Sequence, residues 1–154
     1  MKLKFIIVSA LVMTMASCGG DKAKKEVAAP AQEEKKVATE KVDPMSNKGV
    51  GVITSVTLGD IDEALVSQGE TIFKAKCTAC HKITKKFVGP ALKGVTQRRS
   101  PEWIMNMALN PELMIKEDPI AQQLLIEYNG APMANQNITE EEARALLEYF
   151  RTKN

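Results

Sequence analysis

Residues 77–81 read Cys-Thr-Ala-Cys-His, and their types and spacing are the best suited to chemistry in this chain. A C-x-x-C-H segment is typical of covalent haem attachment. Two thiols at this spacing can form thioethers with the two vinyl groups of one porphyrin, and the adjacent imidazole then lies beneath the iron. We therefore predict one covalent haem, attached through Cys77 and Cys80, with His81 as an iron ligand.

Other uses of a C-x-x-C pair fit the sequence less well. In thioredoxin-like oxidoreductases the pair belongs to a βαβ unit, whereas residues 70–76 have a helical pattern here. A structural zinc site needs two further ligands, and the chain offers one other cysteine, Cys18, and a single histidine. A thiol oxidoreductase and a plain disulfide stay open as alternatives to haem attachment.

Residues 1–17 have the pattern of a secretory signal. Lys2 and Lys4 precede an apolar run, residues 5–16, that is too short to span a bilayer. The end of this run and the two residues after it, Met15-Ala16-Ser17-Cys18, resemble the lipobox of bacterial lipoproteins. In a lipobox the cysteine becomes the first mature residue and carries the lipid. We expect an exported protein that faces the periplasm and is lipid-anchored to the inner or outer membrane. Conventional cleavage, with Cys18 as a free thiol, is the alternative.

Composition divides the rest of the chain into three parts. Residues 18–48 contain no aromatic residue and are rich in Lys, Glu and Ala, so they cannot bury enough apolar surface to fold. We predict that they form a disordered, flexible linker with mixed charge. Residues 49–59 are an apolar lead-in whose conformation the pattern leaves undecided. Residues 60–154 form the predicted folded domain.

The predicted domain is all-α, with about four helices. No alternating strand pattern occurs between residues 60 and 154, and the first helix runs into Cys77. Each later helix begins at a capping residue, followed in two cases by proline. These start signals are Ser100-Pro101, Asp118-Pro119 and the capping box of Thr139 with Glu142.

Residues 61–154 resemble a small class I, mono-haem cytochrome c domain. Members of that family share a helix that ends in C-x-x-C-H, a Gly-Pro soon after it, a methionine on a later loop, and a C-terminal helix that crosses the first. In this sequence the corresponding residues are Gly69, Cys77 to His81, Gly89-Pro90, Met133, and Leu146 with Tyr149. The resemblance implies a small cytochrome c fold around one covalent haem, with Gly69 packed against Tyr149.

The resemblance also implies roles for single residues around the iron. Met133 would be the sixth ligand, with Met114 or an open position as alternatives. The Pro90 carbonyl would accept a hydrogen bond from the His81 imidazole, although Gly89-Pro90 by itself indicates only a turn. Apart from the resemblance, the indole N–H of Trp103 is a donor suited to a haem propionate, and packing in the core is the alternative.

Charge is unevenly distributed along the predicted domain. Residues 71–101 contain eight Lys and Arg and no acid, whereas residues 102–154 contain nine acids and four bases. Because the basic run flanks the haem-attachment motif, it predicts a positive surface that steers docking of redox partners with an acidic surface. A solvated face without a partner is the alternative.

A His/Met-ligated haem has no free position for a substrate, so we predict a one-electron carrier of an exported respiratory chain and not an enzyme. The predicted partners are redox proteins and, through the lipid anchor, a membrane; we expect no nucleic acid and no small-molecule substrate. The alternative is a haem enzyme or gas-binding protein with an open sixth position, such as a peroxidase.

Overall fold

The structure, a computed structural model, describes residues 42–154. Within this range there are five α-helices and no β-strand, which confirms the predicted all-α fold. The helices are α1 (Glu63–Ile72), α2 (Pro101–Leu109), α3 (Pro111–Glu117), α4 (Pro119–Glu127) and α5 (Glu140–Arg151). A π-helical turn, Phe73–Cys77, continues α1, and a 3-10 turn, Val95–Gln97, precedes α2.

The predictions for the signal peptide, for Cys18 and for most of the linker concern residues that lie outside this described range. Among residues 42–154, no helix combines the length and the apolar character that crossing a bilayer requires.

Helices α2, α3 and α4 begin in the same way. A side-chain oxygen of the preceding residue accepts a backbone N–H of the first turn, and proline occupies the start of the helix. The three capping residues are Ser100, Asn110 and Asp118. Helix α3 is the one that the sequence analysis did not separate, because its seven residues fill the short interval between the two helices predicted there.

Helices α1 and α5 cross in direct contact at Gly69. A Cβ atom at this position would lie 2.1 Å from the Ala145 carbonyl oxygen and 2.8 Å from the Tyr149 Cβ, so no other residue type fits without a shift of backbone. The packing of Gly69 against Tyr149 that the resemblance implied is confirmed. Glycine in a helix lowers the stability of that helix by up to about 1 kcal/mol relative to alanine. The close packing of α1 against α5 offsets this loss.

An aromatic cluster continues this crossing into the core. The ring centroid of Phe73 lies 5.5 Å from that of Tyr149 and 5.9 Å from that of Phe150, in tilted and edge-on arrangements that aromatic pairs favour. Burial of each such ring stabilises the fold by about 1.5–3 kcal/mol. Since Phe73 begins the π-helical turn, the core fixes the segment that leads into Cys77.

The predicted lead-in, residues 49–59, is part of an irregular strap, residues 47–59, that lies against α2 and α3. The backbone N–H groups of Val50, Ile53 and Val56 donate to Met114 Sδ (3.1 Å), Asn106 Oδ1 (3.0 Å) and Glu102 Oε1 (3.2 Å). The Asn106 side-chain amide in turn donates to the carbonyl oxygens of Lys48 (3.1 Å) and Ile53 (2.9 Å), so the strap folds around this side chain. Contacts of the strap already begin at Asn47, inside the predicted linker, because the side-chain amide of Asn47 donates to the Asp118 carboxylate.

The other end of the strap is fastened to α5. Arg144 and Arg151 donate to the carbonyl oxygens of Thr57 (3.3 Å) and Gly59 (2.8 Å). Both guanidinium groups also pair with Glu148, whose side chain is fully buried. A buried carboxylate is costly unless it is paired, so the two arginines satisfy Glu148 and hold the strap at the same time.

We expect Gly69→Ala to lower the free energy of unfolding of the haem-loaded protein by about 1–3 kcal/mol, because the new methyl group collides with the backbone of α5. The matched control is Gly59→Ala, whose added Cβ has no neighbour within 4 Å. Chemical denaturation checks both variants. Equal stability of the two variants would contradict the role given to the crossing.

Candidate haem site

The C-x-x-C-H motif lies where α1 changes its winding. The amide of Thr78 donates to the carbonyl of Phe73 (3.2 Å), five residues earlier, as in a π-helix. The amides of Cys80 and His81 then both donate to the carbonyl of Cys77, at 3.1 and 2.9 Å. Single π-helical turns occur often at functional sites. Here the turn brings the two thiols and the imidazole around one tight bend.

The two thiols of the motif differ in their surroundings. Cys80 is exposed and Cys77 is partly buried, and neither sulfur forms a disulfide. Burial raises the pKa of Cys77 to about 11, against a smaller opposing effect of the Lys76 charge. Before a thioether link forms, the Cys77 sulfur is therefore a neutral thiol at neutral pH.

His81 is oriented by the residue that the resemblance indicated. Its Nδ1 lies 3.0 Å from the Pro90 carbonyl oxygen. Because a carbonyl can only accept, the proton of the neutral ring is on Nδ1, and Nε2 carries the free lone pair. A bond of this kind fixes both the tautomer and the orientation of a metal-ligating imidazole.

Gly89 closes the other side of the His81 ring. A Cβ at Gly89 would lie 2.4 Å from Cε1 and 2.9 Å from Nδ1 of His81, so only glycine lets the backbone approach the imidazole this closely. The Gly89 amide also donates to the Cys80 carbonyl (2.9 Å), which ties this turn to the motif. The arrangement fits a covalently attached haem, since one oriented imidazole with a free Nε2 stands beside two thiols at the required spacing.

Two apolar residues beside this turn are missing from the sequence-based set of site residues. Phe87 and Val88 are 52% and 48% exposed, although aromatic and branched aliphatic side chains are usually buried. They are consecutive in the chain, whereas the other exposed large apolar side chains of residues 42–154 are separated from one another. The signal in the sequence was their position between two lysines and Gly89-Pro90, in a loop too short to have a core of its own.

The methionines of the domain fall into different environments. Met114 is fully buried and its sulfur accepts the Val50 amide, and Met105 is part of the core. Met133 lies partly exposed in the loop between α4 and α5, and no hydrogen bond among residues 42–154 involves its sulfur. Core packing and the bond to Val50 therefore explain the position of Met114, which the sequence analysis named as the alternative sixth ligand. Met133 stays the predicted sixth ligand.

Left-handed residues shape the loop that carries Met133. Asn129 and Gly130 have φ angles of 57° and 73°, and the Gly130 amide donates to the Leu125 carbonyl (2.8 Å), which ends α4. Near the other end, Asn137 (φ 51°) donates its amide to the Asn135 side chain (2.8 Å). Both ends of the loop are therefore set by local bonds before α5 begins.

The indole of Trp103 has a protein partner. Its indole N–H donates to Asp118 Oδ1 at 3.0 Å, and the residue is 5% exposed. Indole has a single donor, so in this structure it is not available to a propionate. This contact supports the alternative given for Trp103, a core residue that connects α2 to the cap of α4, and the propionate role stays a prediction.

Several residues of the basic run have acidic or carbonyl partners. Lys74 pairs with Glu70 (2.8 Å) and Lys76 with Glu142 (2.9 Å), and this contact lowers the pKa of Glu142. Arg98 donates to two backbone carbonyl groups. Lys85, Lys86 and Lys93 are exposed and form no ion pair within residues 42–154. The free positive charge is therefore concentrated in the loop that follows the motif.

Comparisons with known proteins agree with this geometry. Residues 66–153 match the family described as Cytochrome c. The chain is 38% identical to cytochrome c-551 of Stutzerimonas stutzeri over 87 residues, which cover 56% of this chain and 77% of that protein. It is 33% identical to cytochrome c-551 of Ectopseudomonas mendocina over 87 residues, 56% of this chain and 98% of the relative. The solved cytochrome c from Rhodothermus marinus superimposes with a TM-score of 0.64 at 50% identity, covering 66% of this chain and 88% of that chain.

We expect Gly89→Ala to displace the His81 ring and weaken its bond to Pro90, because the added methyl group would lie 2.4 Å from a ring carbon. The midpoint potential should change and the free energy of unfolding should fall by about 1–3 kcal/mol. Redox titration and denaturation measure the two effects. Pro90→Ala is the matched control, since it keeps the accepting carbonyl and should change the potential less; the reverse order would contradict the assignment.

Proposed function

This chain belongs to the cytochrome c family and carries a covalently bound c-type haem, and from that premise we propose that it is a one-electron carrier. The observation that supports this most directly is the oriented imidazole of His81, held between Gly89 and Pro90 beside Cys77 and Cys80. Residues in fixed positions suit electron transfer, because little rearrangement accompanies each change of charge.

We propose the following roles for the chain's own residues. Cys77 and Cys80 form the two thioether links, and His81 presents Nε2 as the fifth ligand. The haem, when bound, supplies an iron that gains and loses one electron. The Pro90 carbonyl holds the proton on Nδ1 of His81 and so keeps Nε2 available in every redox state.

Met133 is the sixth ligand in this proposal. The buried positions of Met105 and Met114 support it, because packing already accounts for both side chains. A thioether ligand favours the reduced state and raises the potential. With six positions filled, no substrate can coordinate, so the proposed role is electron carriage and not catalysis.

The proposed partner is a redox protein with an acidic surface. The loop after the motif supports this role, because the same loop contains exposed Lys85 and Lys93 and the exposed apolar residues Phe87 and Val88. An apolar centre with charged neighbours is typical of transient docking, in which charge steers the encounter and apolar contact completes it.

Export and lipid anchoring through Cys18 stay predictions of the sequence. Residues 1–17 and the lipobox-like Met15 to Cys18 support them. In that arrangement the chain between Cys18 and the strap would be a tether for the domain in an exported respiratory chain.

We expect Met133→Ala to abolish the sulfur–iron charge-transfer band, to allow rapid CO binding, and to lower the midpoint potential by on the order of 100 mV, a fraction of the ~0.8 V that axial ligands span. Absorption spectra, CO kinetics and redox titration of the haem-loaded protein measure these effects. Met107→Leu, a control for loss of a thioether elsewhere, should leave the band intact. A band that survives in Met133→Ala and disappears in Met114→Ala would assign the sulfur to Met114; a wild-type protein without the band would favour an open-site haem protein.

We expect electron exchange with an acidic partner to slow as salt rises, because salt screens the attraction between the lysines and the partner's acids. At physiological salt this attraction is largely screened beyond a Debye length of about 8–10 Å. Lys85→Glu and Lys93→Glu should each lower the association rate several-fold at low salt, with little effect on the transfer step itself. Lys116→Glu makes the same charge change outside the basic run and should matter much less. Stopped-flow rates across an ionic-strength series decide this, and a flat salt dependence would indicate a solvated face.

A further inference from the structure

Lys86 and Tyr128 connect the two loops of the candidate site. The Lys86 Nζ atom lies 4.1 Å from the centre of the Tyr128 ring, a cation–π contact. Lys86 belongs to the loop between His81 and Pro90, and Tyr128 ends α4 and begins the loop that carries Met133. One contact therefore bridges the segment of the fifth ligand and the segment of the proposed sixth.

Lys86 is linked to the His81 ring through a short turn. The amide of Phe87, the next residue, donates to the Gly89 carbonyl (3.1 Å), and the Gly89 amide donates to the Cys80 carbonyl (2.9 Å). Gly89 is also the residue in close contact with the imidazole. Lys86 is thus three positions before the glycine that lies against the His81 ring.

Tyr128 is similarly fixed at the start of the other loop. Its amide donates to the Leu124 carbonyl (2.9 Å), and its own carbonyl accepts the Ala131 amide (3.1 Å). Met133 follows two residues later. Burial raises the pKa of Tyr128, with the Glu127 charge adding to the effect and Arg98 opposing it, so the ring is neutral and partly shielded from water.

Other cation–π contacts of the domain do not bridge these two loops. Lys82 lies 5.0 Å from the centre of the Phe87 ring, and both residues belong to the loop after the motif. Lys153 lies over Tyr149, near the end of α5. The Lys86 ammonium forms no ion pair within residues 42–154, so Tyr128 is its partner there.

We propose that Lys86 and Tyr128 form a clasp that holds the Met133 loop against the His81 loop and thereby sets how readily the sixth position opens. Both are positioning residues, since neither contacts the reacting atoms. The proposal rests on the proposed function through Met133 as the sixth ligand. The clasp slows the entry of outside ligands without contributing a ligand of its own.

The test uses the haem-loaded protein and imidazole as the competing ligand. Lys86→Met and Tyr128→Leu should each speed replacement of the sixth ligand in the ferric state about two- to fivefold, the change expected from loss of a partly exposed cation–π contact. The double variant should be no faster than either single one, because both remove the same contact. Lys86→Arg and Tyr128→Phe keep the charge and the ring, so their rates should stay near that of the wild type.

Lys82→Met is the charge-matched control, because it removes a lysine of the same loop whose ring partner lies within that loop. Equal rates for Lys82→Met and Lys86→Met, or additive effects of Lys86→Met and Tyr128→Leu, would overturn the clasp. Amide hydrogen exchange over residues 129–137 gives an independent readout, and it should accelerate in Lys86→Met but not in Lys82→Met. If the wild type shows no sulfur–iron band, the proposed ligation fails, while the exchange data still decide whether the two loops are held together.

Discussion

The close crossing of α1 and α5 at Gly69 is the contact on which the site depends. The missing side chain lets the backbone of α5 approach α1, and Phe73, one turn further on, inserts into the aromatic core with Tyr149 and Phe150. Cys77 follows after one more, π-helical, turn. The rotation of α1 is therefore fixed by two successive contacts before the chain reaches the motif, and a larger residue at Gly69 would act on the position of the thiols as well as on stability.

Beyond this crossing, buried polar groups connect the remaining elements. A domain of this size buries a limited apolar area, so individual polar contacts weigh more in its stability. The strap supplies partners to α2 through Asn106 and to α5 through the arginines that neutralise Glu148. Each of these side chains would be costly to bury alone. The strap and the helices therefore stabilise each other, although the strap has neither a helix nor a strand of its own.

The features that could be predicted from the sequence are those set by neighbouring residues, such as helix starts. The features that could not be predicted are contacts between residues far apart in the chain. The caps at Ser100, Asp118 and Thr139 were readable because a capping side chain bonds within its own first turn. Asn110-Pro111 has the same signal, but α3 follows α2 without an intervening loop, so the periodicity shows no break. The strap was undecidable because its partners are remote: Val50 bonds to Met114, 64 positions away. For the same reason no pattern could show that the Trp103 indole bonds to Asp118. The expectation of a bond between His81 and Pro90 came from the family resemblance, and the structure contains this bond. The role of Met133 as sixth ligand stays a prediction.

The basic run shows how a charge pattern changes its meaning once the chain folds. Lys74 and Lys76 are paired with acids from α1 and α5, so their charges add little to the outer field. The unpaired lysines lie in the loop that also orients His81 and exposes Phe87 and Val88. One loop thus serves ligand orientation, apolar contact and charge. Because Lys86 contacts Tyr128 in this state, an acidic partner that binds Lys86 competes with the ring for the same ammonium group. In the proposed arrangement, with Met133 as the sixth ligand and Lys86 and Tyr128 as a clasp, docking of an acidic partner at Lys86 would also loosen the loop that carries Met133.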